Sequence, residues 1–437
     1  MTKRSSSMLT IGNPKQYARA AEKNSERLFP YYAGYSESFT DQLLKSAQLD
    51  GNAIVLDPWN GSGTTISSAG RLGLKAIGID LNPAMVIVAK ASLLSSREAP
   101  SLLPLAKSIV AQVTKHSRCL IESDPLSTWF YDESASLIRG LEVEINRALV
   151  SDDDYCSLTK QNTLNRLSPL AAFFYVALFR SVRSMLFSFI PTNPTWVKQP
   201  RTSQERKRPI WDSVEKVFLT QVGFLTESML ALRENRNRES NEHVNVRLGS
   251  ATGLRLKNGS IDFILSSPPY CTRIDYAVST AIELAILRYD DHSFDGLRRS
   301  LMGTATVEPT APVIEAVWGR RCKQFLRQLY RHKSKASKSY YYKSHVQYFD
   351  SLFKSIQEIA RVLKPRGNCV LVVQDSYYKE LHNDLPMMAV EMADNSALKL
   401  FRREDFVSKK SMVGRNYRAK KYLETRLSSE SVLCFRR

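Results

Sequence analysis

Paired cysteines are missing from this sequence. Its six cysteines, Cys119, Cys156, Cys271, Cys322, Cys369 and Cys434, include no CxxC pair, and no histidine stands beside them at metal-ligand spacing. That pattern argues against a metal site or a disulfide framework, and for reduced, mostly structural thiols in a cytosolic protein. Long uncharged apolar runs are missing too. The longest, Leu170 to Ile190, is interrupted by Arg180 and Arg183, so it reads as a buried helix and not as a bilayer span. Residues 1–20 are polar and basic and lack the apolar centre of a signal peptide. Acids are scarce: 43 Asp and Glu face 62 Lys and Arg, a formal net charge of +19. The imbalance favours a polyanionic partner, nucleic acid first. No internal repeat or low-complexity tract is visible, and 437 residues allow either one elaborated domain or two to three smaller ones.

Two further absences narrow the chemistry of the stretch AIVLDPWNGSGTT. It reads as a strand from Ala53 to Leu56, an acid at the strand end, a glycine-rich turn and a small-residue helix through Ala69. Glycines at 61 and 63 let a ligand approach the backbone, and the helix that follows offers free N–H groups. The turn lacks the lysine of a phosphate-binding GxxxxGK[ST] loop and the spacing of GxGxxG, which disfavours ATP hydrolysis and NAD. A second strand, Lys75 to Ile79, ends in Asp80-Leu81-Asn82-Pro83, where an acid in a Rossmann-type fold meets ribose hydroxyls. A ligand with a ribose, no phosphate and a free amino-acid end suits Asp57, the glycine turn and Asp80 together. S-adenosylmethionine has those parts.

Val244 to Leu248 reads as a third strand, and a further short one, Phe263-Ile264-Leu265, runs into Ser267-Pro268-Pro269-Tyr270. Neither proline can donate to a ladder, so the strand stops in a stiff extended loop. Serine and a proline carbonyl can accept hydrogen bonds from an amino group, and the tyrosine offers a flat face for stacking. By itself the tetrapeptide is as consistent with an ordinary proline-terminated strand.

Taken together, the two stretches resemble the amino-directed DNA methyltransferases, which carry a DPF/W-x-GSGTT cofactor motif and a (D/N/S)PP(Y/F) catalytic motif. Asp57 to Thr65 matches the first and Ser267 to Tyr270 the second. Tyr31 to Tyr35, with Tyr32 and Gly34, is similar to the family's N-terminal motif around the methionine end of the cofactor. The resemblance covers roughly residues 26–95 and 244–437. It implies a Rossmann-like, seven-stranded, mostly parallel α/β sheet and S-adenosylmethionine as cofactor. Tyr32, Gly34, Asp57, Pro58, Gly61, Gly63, Thr64, Asp80, Asn82 and Ser250 are the expected cofactor residues. Ser250 stands in Gly249-Ser250-Ala251, where relatives usually have Gly-Asp-Ala. Ser267, Pro268, Pro269 and Tyr270 are the expected catalytic residues, with Ser267 and the Pro268 carbonyl accepting the two amino hydrogens and Tyr270 stacking on a flipped base. An initial serine in this motif is commoner among enzymes acting on N4 of cytosine, which makes DNA cytosine the implied substrate. N6 of adenine, an RNA amino group, or a non-catalytic DNA-binding subunit are the alternatives. The implied setting is the cytoplasm of a bacterium, on nucleoid DNA, with no membrane contact and a restriction nuclease or other defence component as a possible companion.

Residues 1–95 and 244–437 are therefore expected to form the catalytic core. Between them, residues 96–243 show helical spacing at Leu102, Leu105, Ile109 and Val113, again at Leu137, Leu141, Ile145 and Leu149, and through Leu170 to Ile190. The expected result is a large helical insertion, either capping the sheet or reading the target. Within it, Pro191 to Trp196 is a turn-rich break followed by Lys198, Arg201, Arg206, Lys207 and Arg208. From Gly319 to Lys343 nine Lys or Arg occur without one acid, interleaved with Phe325, Tyr330, Tyr340, Tyr341 and Tyr342. Phosphates attract cations and unstacked bases stack on rings, so Arg320, Arg321, Lys323, Arg327, Arg331 and Lys333, with Arg273 on the motif loop, are the expected DNA contacts. Further on, Phe349 to Leu363 reads as a helix, Lys364 to Gly367 as a turn, and Cys369 to Val373, Leu398 to Phe401 and Ser431 to Phe435 as strands. Arg402, Arg403 and the cations from Lys409 to Lys421 add a second basic surface.

Overall fold

The computed structural model describes residues 9–15, 28–30, 34–113, 123–150, 158, 161–191, 196–233, 243–272, 274–310, 312–408 and 428–437. Seven strands, β1 (Ile54–Asp57), β2 (Lys75–Asp80), β3 (Val244–Leu248), β4 (Ile261–Ser266), β5 (Leu363–Gln374), β8 (Lys399–Ser408) and β9 (Ser428–Arg436), form one sheet in the order β3-β2-β1-β4-β5-β9-β8. A hairpin, β6 (Ser376–Tyr378) with β7 (Leu381–Asn383), leaves the carboxyl end of β5. β1 to β5 pair in parallel, and β9 runs antiparallel to both β5 and β8. The strand order reverses between β1 and β4. In such sheets the carboxyl ends on either side of the reversal open a crevice.

Side chains alternate across the sheet with the period of a strand. Val55, Phe263, Leu265, Val370, Val372 and Val432 enter one core. Leu56, Ile264, Leu371, Val373, Leu433 and Phe435 enter the other. The first face is covered by α1 (Glu37–Ser46), α2 (Thr64–Arg71), α3 (Pro83–Ala91) and the insertion helices α4 (Ala99–Gln112), α5 (Asp132–Leu149), α6 (Gln161–Arg166), α7 (Pro169–Met185) and α8 (Trp211–Arg233). In α7 every side chain from Ala171 to Phe179 is buried, so the longest apolar stretch is a core helix. After β4 come α9 (Tyr276–Ser279), α10 (Ala281–Ile286) and α11 (Asp291–Ser300). The opposite face is covered by α12 (Arg320–Arg331), α13 (Tyr342–Val362) and α14 (Leu385–Asp394). No described helix is long and apolar enough to cross a membrane.

Three local expectations change. Lys364 to Gly367 is not a free turn: it is a bulge inside β5, where Ile261 pairs with Leu363 and Phe263 with Asn368. Arg366 takes φ 66° there and its N–H is tied to the carbonyl of Arg437, so the chain makes its turn without leaving the sheet. The spacing after the motif loop predicts one helix from about Val278 to Leu287; the structure has two short ones, broken at Thr280, whose hydroxyl is drawn to the carbonyls of Tyr276 and Ala277. Arg402 and Arg403 pair with Glu404 and Asp405 on the same strand, which removes them from a free basic surface. Lys409 to Lys421 lie outside the described residues.

Candidate active site

The glycine turn after β1 and the Ser267–Tyr270 loop after β4 line the same cleft, whose empty space measured to its open mouth is about 1090 Å³. Its floor is Asp57. The carboxylate is buried and accepts from Ser266 Oγ at 2.5 Å, from the Trp59 N–H at 3.2 Å and from the Tyr35 hydroxyl at 3.4 Å. Burial nevertheless pushes its carboxyl up to about 6, against the pull of these hydrogen bonds. Tyr35 also meets Thr65 Oγ1 at 2.5 Å and the Leu265 carbonyl at 3.3 Å. One hydroxyl thus joins the acid of β1 to the end of β4. The sequence reading stopped at Tyr32 and Gly34. Tyr35 could have been found as the last aromatic of that motif, one residue before the Ser36 that caps α1.

The glycine turn is held by the neighbouring strand. Asp80 accepts from the Gly61 N–H at 2.7 Å and the Asn82 N–H at 2.8 Å, and burial with the nearby Asp57 charge pushes its carboxyl up to about 6. Gly63 sits at φ 89° as the residue before α2, with the position of a Cβ only 3.1 Å from Ala89 Cβ. A side chain there would be strained on both counts. It does not line the cleft, whereas Pro58, Gly61 and Thr64 do. Gly34 also lines it, and no atom lies within 4 Å of where its Cβ would be.

Asn82 lines the cleft and also ties elements together. Its Oδ1 caps α3 by accepting from Ala84 N at 3.0 Å, and its Nδ2 donates to Thr280 Oγ1 at 2.9 Å and toward the Tyr276 carbonyl at 3.4 Å. The side chain thereby ties α3 to the helices that follow the motif loop. Ser250 stands at the rim, where its hydroxyl meets Thr252 Oγ1 at 2.8 Å.

In the motif loop each acceptor is separately defined. Ser267 Oγ donates its proton to the Val372 carbonyl on β5 at 2.8 Å, which leaves its oxygen lone pairs as the free side of the group. The Pro269 carbonyl accepts from the Tyr348 hydroxyl at 2.8 Å. Among the described residues nothing bonds to the Pro268 carbonyl. Tyr270 is buried; its hydroxyl donates to Glu430 Oε1 at 3.2 Å and accepts from Lys15 Nζ at 2.8 Å, and its N–H reaches the Tyr276 hydroxyl at 3.4 Å. Cys271 follows, and burial pushes its thiol up to about 12, which leaves no thiolate near neutrality. Asp275 caps α9 through Val278 N and pairs with Arg298 at 2.6 Å.

The basic face is more divided than its sequence suggests. Arg320, Arg327, Arg331 and Lys333 are exposed and Lys323 is half-buried. Arg321 is drawn to Asp384 at 3.4 Å and Glu391 at 3.5 Å, at the start of and within α14 beside it in the same layer. Phe325 is core, and Tyr340, Tyr341 and Tyr342 turn toward Ala305, Tyr378 and Tyr330. Tyr330 alone of this group has a largely exposed ring. Tyr32 and Arg273 lie outside the described residues.

Residues 13–91 match the family model described as DNA methylase. The chain is 24% identical over 320 residues to the Type II methyltransferase M.BsoBI of Geobacillus stearothermophilus, an alignment that covers 68% of this chain and 59% of that relative. It therefore spans less than two thirds of the curated relative it matches. Among solved structures, the YcgJ protein of Bacillus subtilis aligns over 91% of this chain and 97% of its own at 10% identity and a TM-score of 0.31. The rRNA methyltransferase AviRa of Streptomyces viridochromogenes aligns over 97% and 96% at 11% identity and a TM-score of 0.30.

Proposed function

We propose that this chain, which belongs to the amino-directed DNA methyltransferases, methylates the N4 amino group of cytosine in DNA. The observation that carries the reading is the convergence of the glycine turn and the Ser267–Tyr270 loop on one cleft. S-adenosylmethionine, the methyl donor of the family, supplies an electrophilic methyl group when bound. The donor and acceptor set fits it: Asp80 offers a carboxylate to ribose hydroxyls, Gly34 leaves room for close approach, Gly61 lines the cleft, and Asp57 puts an acid at the floor.

The exocyclic amine of cytosine is a poor nucleophile because its lone pair is delocalised into the ring. Ser267 Oγ, with its proton committed to Val372, and the open Pro268 carbonyl accept the two amino hydrogens and favour a pyramidal nitrogen. Oriented acceptors of this kind require no reorganisation at the moment of reaction. Tyr270 carries the base after it leaves the stack. Arg320, Arg327 and Arg331 on α12 contribute contacts to DNA phosphates. A companion restriction nuclease goes with this reading, the matched relative being a Type II methyltransferase.

Incubation of duplex DNA with the protein and S-adenosylmethionine carrying a labelled methyl group should yield N4-methylcytosine on nucleoside mass spectrometry. Label on N6-methyladenine would retain the family and discard the base. Absence of label from DNA, with label on structured RNA, would discard DNA.

Cofactor affinity should depend on pH through the two raised carboxyls. A carboxyl raised from its ordinary value to about 6 stabilises the free fold fully below about pH 4, and this contribution is lost as pH rises through 6. The ionised form is the one that accepts cofactor donors, so binding strengthens over the same interval. Between pH 5 and 7, calorimetry should show the affinity rising about tenfold for each carboxylate that must be ionised. A flat profile would remove both acids from cofactor recognition.

A further inference from the structure

We infer that Lys15 is a positioning residue, a role that rests on the reading of Tyr270 as the group that carries the base. Its ammonium ties the cofactor side of the cleft at Gly34 to the Tyr270 hydroxyl, so one side chain holds the two reacting partners in register. Lys15 Nζ donates to the Gly34 carbonyl at 2.6 Å and to the Tyr270 hydroxyl at 2.8 Å, and it lies 3.5 Å from Glu430 Oε1. An ammonium has three donors, and acceptors from three separate parts of the chain surround this one. Gly34 and Tyr270 both line the cleft.

The Lys15 side chain is 36% exposed, and a surface ion pair contributes little. Its partner, however, is not on the surface. Glu430 is 3% exposed; its Oε1 accepts from the Tyr270 hydroxyl at 3.2 Å, whereas Oε2 is buried without a hydrogen-bond partner. Burial pushes its carboxyl up, and the Lys15 charge pulls it back down. Among the described residues Lys15 is the cation paired with it. Glu430 pairs in register with Gln374 at the carboxyl end of β5, so the carboxylate stands at the end of the sheet where the cleft opens.

The backbone delivers the lysine to this point. The Leu9 carbonyl accepts from Arg402 at 2.5 Å, the Thr10 N–H donates to Ser46 Oγ at 2.9 Å, and the Pro14 carbonyl accepts from the Ser36 N–H at 2.8 Å. The N–H of Lys15 itself donates to Asn13 Oδ1 at 3.0 Å. Residues 9–15 are thus strapped across β8 and α1, with Lys15 brought beside Gly34 and Tyr35. The Tyr35 hydroxyl already reaches Asp57 at 3.4 Å and the Leu265 carbonyl at 3.3 Å. One side of this short segment is fixed by the floor of the cleft and the other by Lys15. Removal of the ammonium takes a charge-assisted hydrogen bond from both the Gly34 carbonyl and the Tyr270 hydroxyl.

Four variants test this, each read by S-adenosylmethionine affinity in calorimetry and by steady-state methyl transfer to duplex DNA. Lys15→Met should weaken cofactor binding about tenfold and lower kcat about tenfold, each the scale of one hydrogen bond to a charged group. Tyr270→Phe should reproduce the loss in kcat and leave the affinity near wild type. Lys15→Met/Tyr270→Phe should have a kcat no lower than Lys15→Met, because both changes remove the same contact; losses that multiply overturn the proposal. Lys15→Met/Glu430→Gln removes the buried charge together with its cation, which protects the fold from an uncompensated carboxylate. It should stay low in both measures. Recovery to wild-type values there would mean that Lys15 only neutralises Glu430, and wild-type affinity and kcat in Lys15→Met would mean that it holds nothing; either result overturns the proposal. If the wild-type protein transfers no methyl group to DNA, the reading of the substrate falls by itself. The affinities of Lys15→Met and Lys15→Met/Glu430→Gln then decide the role of Lys15: a tenfold loss in both supports the tie to Gly34, and wild-type affinity in either overturns it.

Discussion

Tyr270→Ala is expected to lower methyl transfer to DNA by about 10³-fold or more, with S-adenosylmethionine binding close to wild type. Two losses combine. Base stacking on an aromatic ring contributes about 1–3 kcal/mol, roughly 5- to 150-fold. Misplacement of a reacting group by about 1 Å adds about 10²-fold. The ring is held by Lys15 at 2.8 Å and Glu430 at 3.2 Å on its hydroxyl, and by Tyr276 on its N–H. Tyr270→Phe keeps the stacking face and removes the two hydroxyl contacts, so its loss should be much smaller, about tenfold. Steady-state rates on duplex DNA, with calorimetry for the cofactor, separate the cases. Equal losses in the two variants would mean that the hydroxyl anchorage, not the stacking face, is what transfer needs. Full activity in Tyr270→Ala would remove the loop from the site.

The halves of this cleft were legible because each is written contiguously: a strand, an acid and a glycine turn in one case, a strand and two prolines in the other. Their convergence follows from the parallel neighbours β1 and β4, which the strand count alone does not specify. Contacts that cross the chain were not legible. Nothing near Asn82 announces Thr280 as its partner, and a capping asparagine before proline looks the same whether or not its amide is spent elsewhere. Ser267 reads as a plain acceptor in sequence, and only the Val372 carbonyl opposite it fixes which way its proton points. Charge misled for the same reason. The run from Gly319 to Lys343 has no acid of its own, but Asp384 and Glu391 come from α14 to meet Arg321. Strand ends were underestimated where polar residues are paired inside the sheet, as in β8, which runs to Ser408 through Arg402, Glu404 and Asp405.

Arg139→Met is expected to cost about 3–5 kcal/mol of stability, the largest effect anticipated for a residue outside the cleft. The guanidinium is wholly buried on α5 and its donors are all engaged: Asp124 bidentately at 2.9 Å, Glu142 at 3.2 Å, and the carbonyls of Ile286 at 2.6 Å and Ala285 at 3.1 Å. Glu142 keeps Arg288, Tyr175 and Asn146 after the substitution. Among the described residues Asp124 keeps only the backbone N–H of Leu126 and becomes an uncompensated buried charge. The penalty should therefore lie mainly at Asp124, and adding Asp124→Asn to Arg139→Met should recover part of it, although a second side chain has been lost. Thermal or urea unfolding of the two variants decides this: if the double variant is less stable than the single one, the uncompensated charge is not the cause. Activity should fall with stability in the single variant for a specific reason. The carbonyls Arg139 holds close α10, the helix that begins after Thr280, so an insertion residue far from the cleft fixes the segment that carries the Ser267–Tyr270 loop onward.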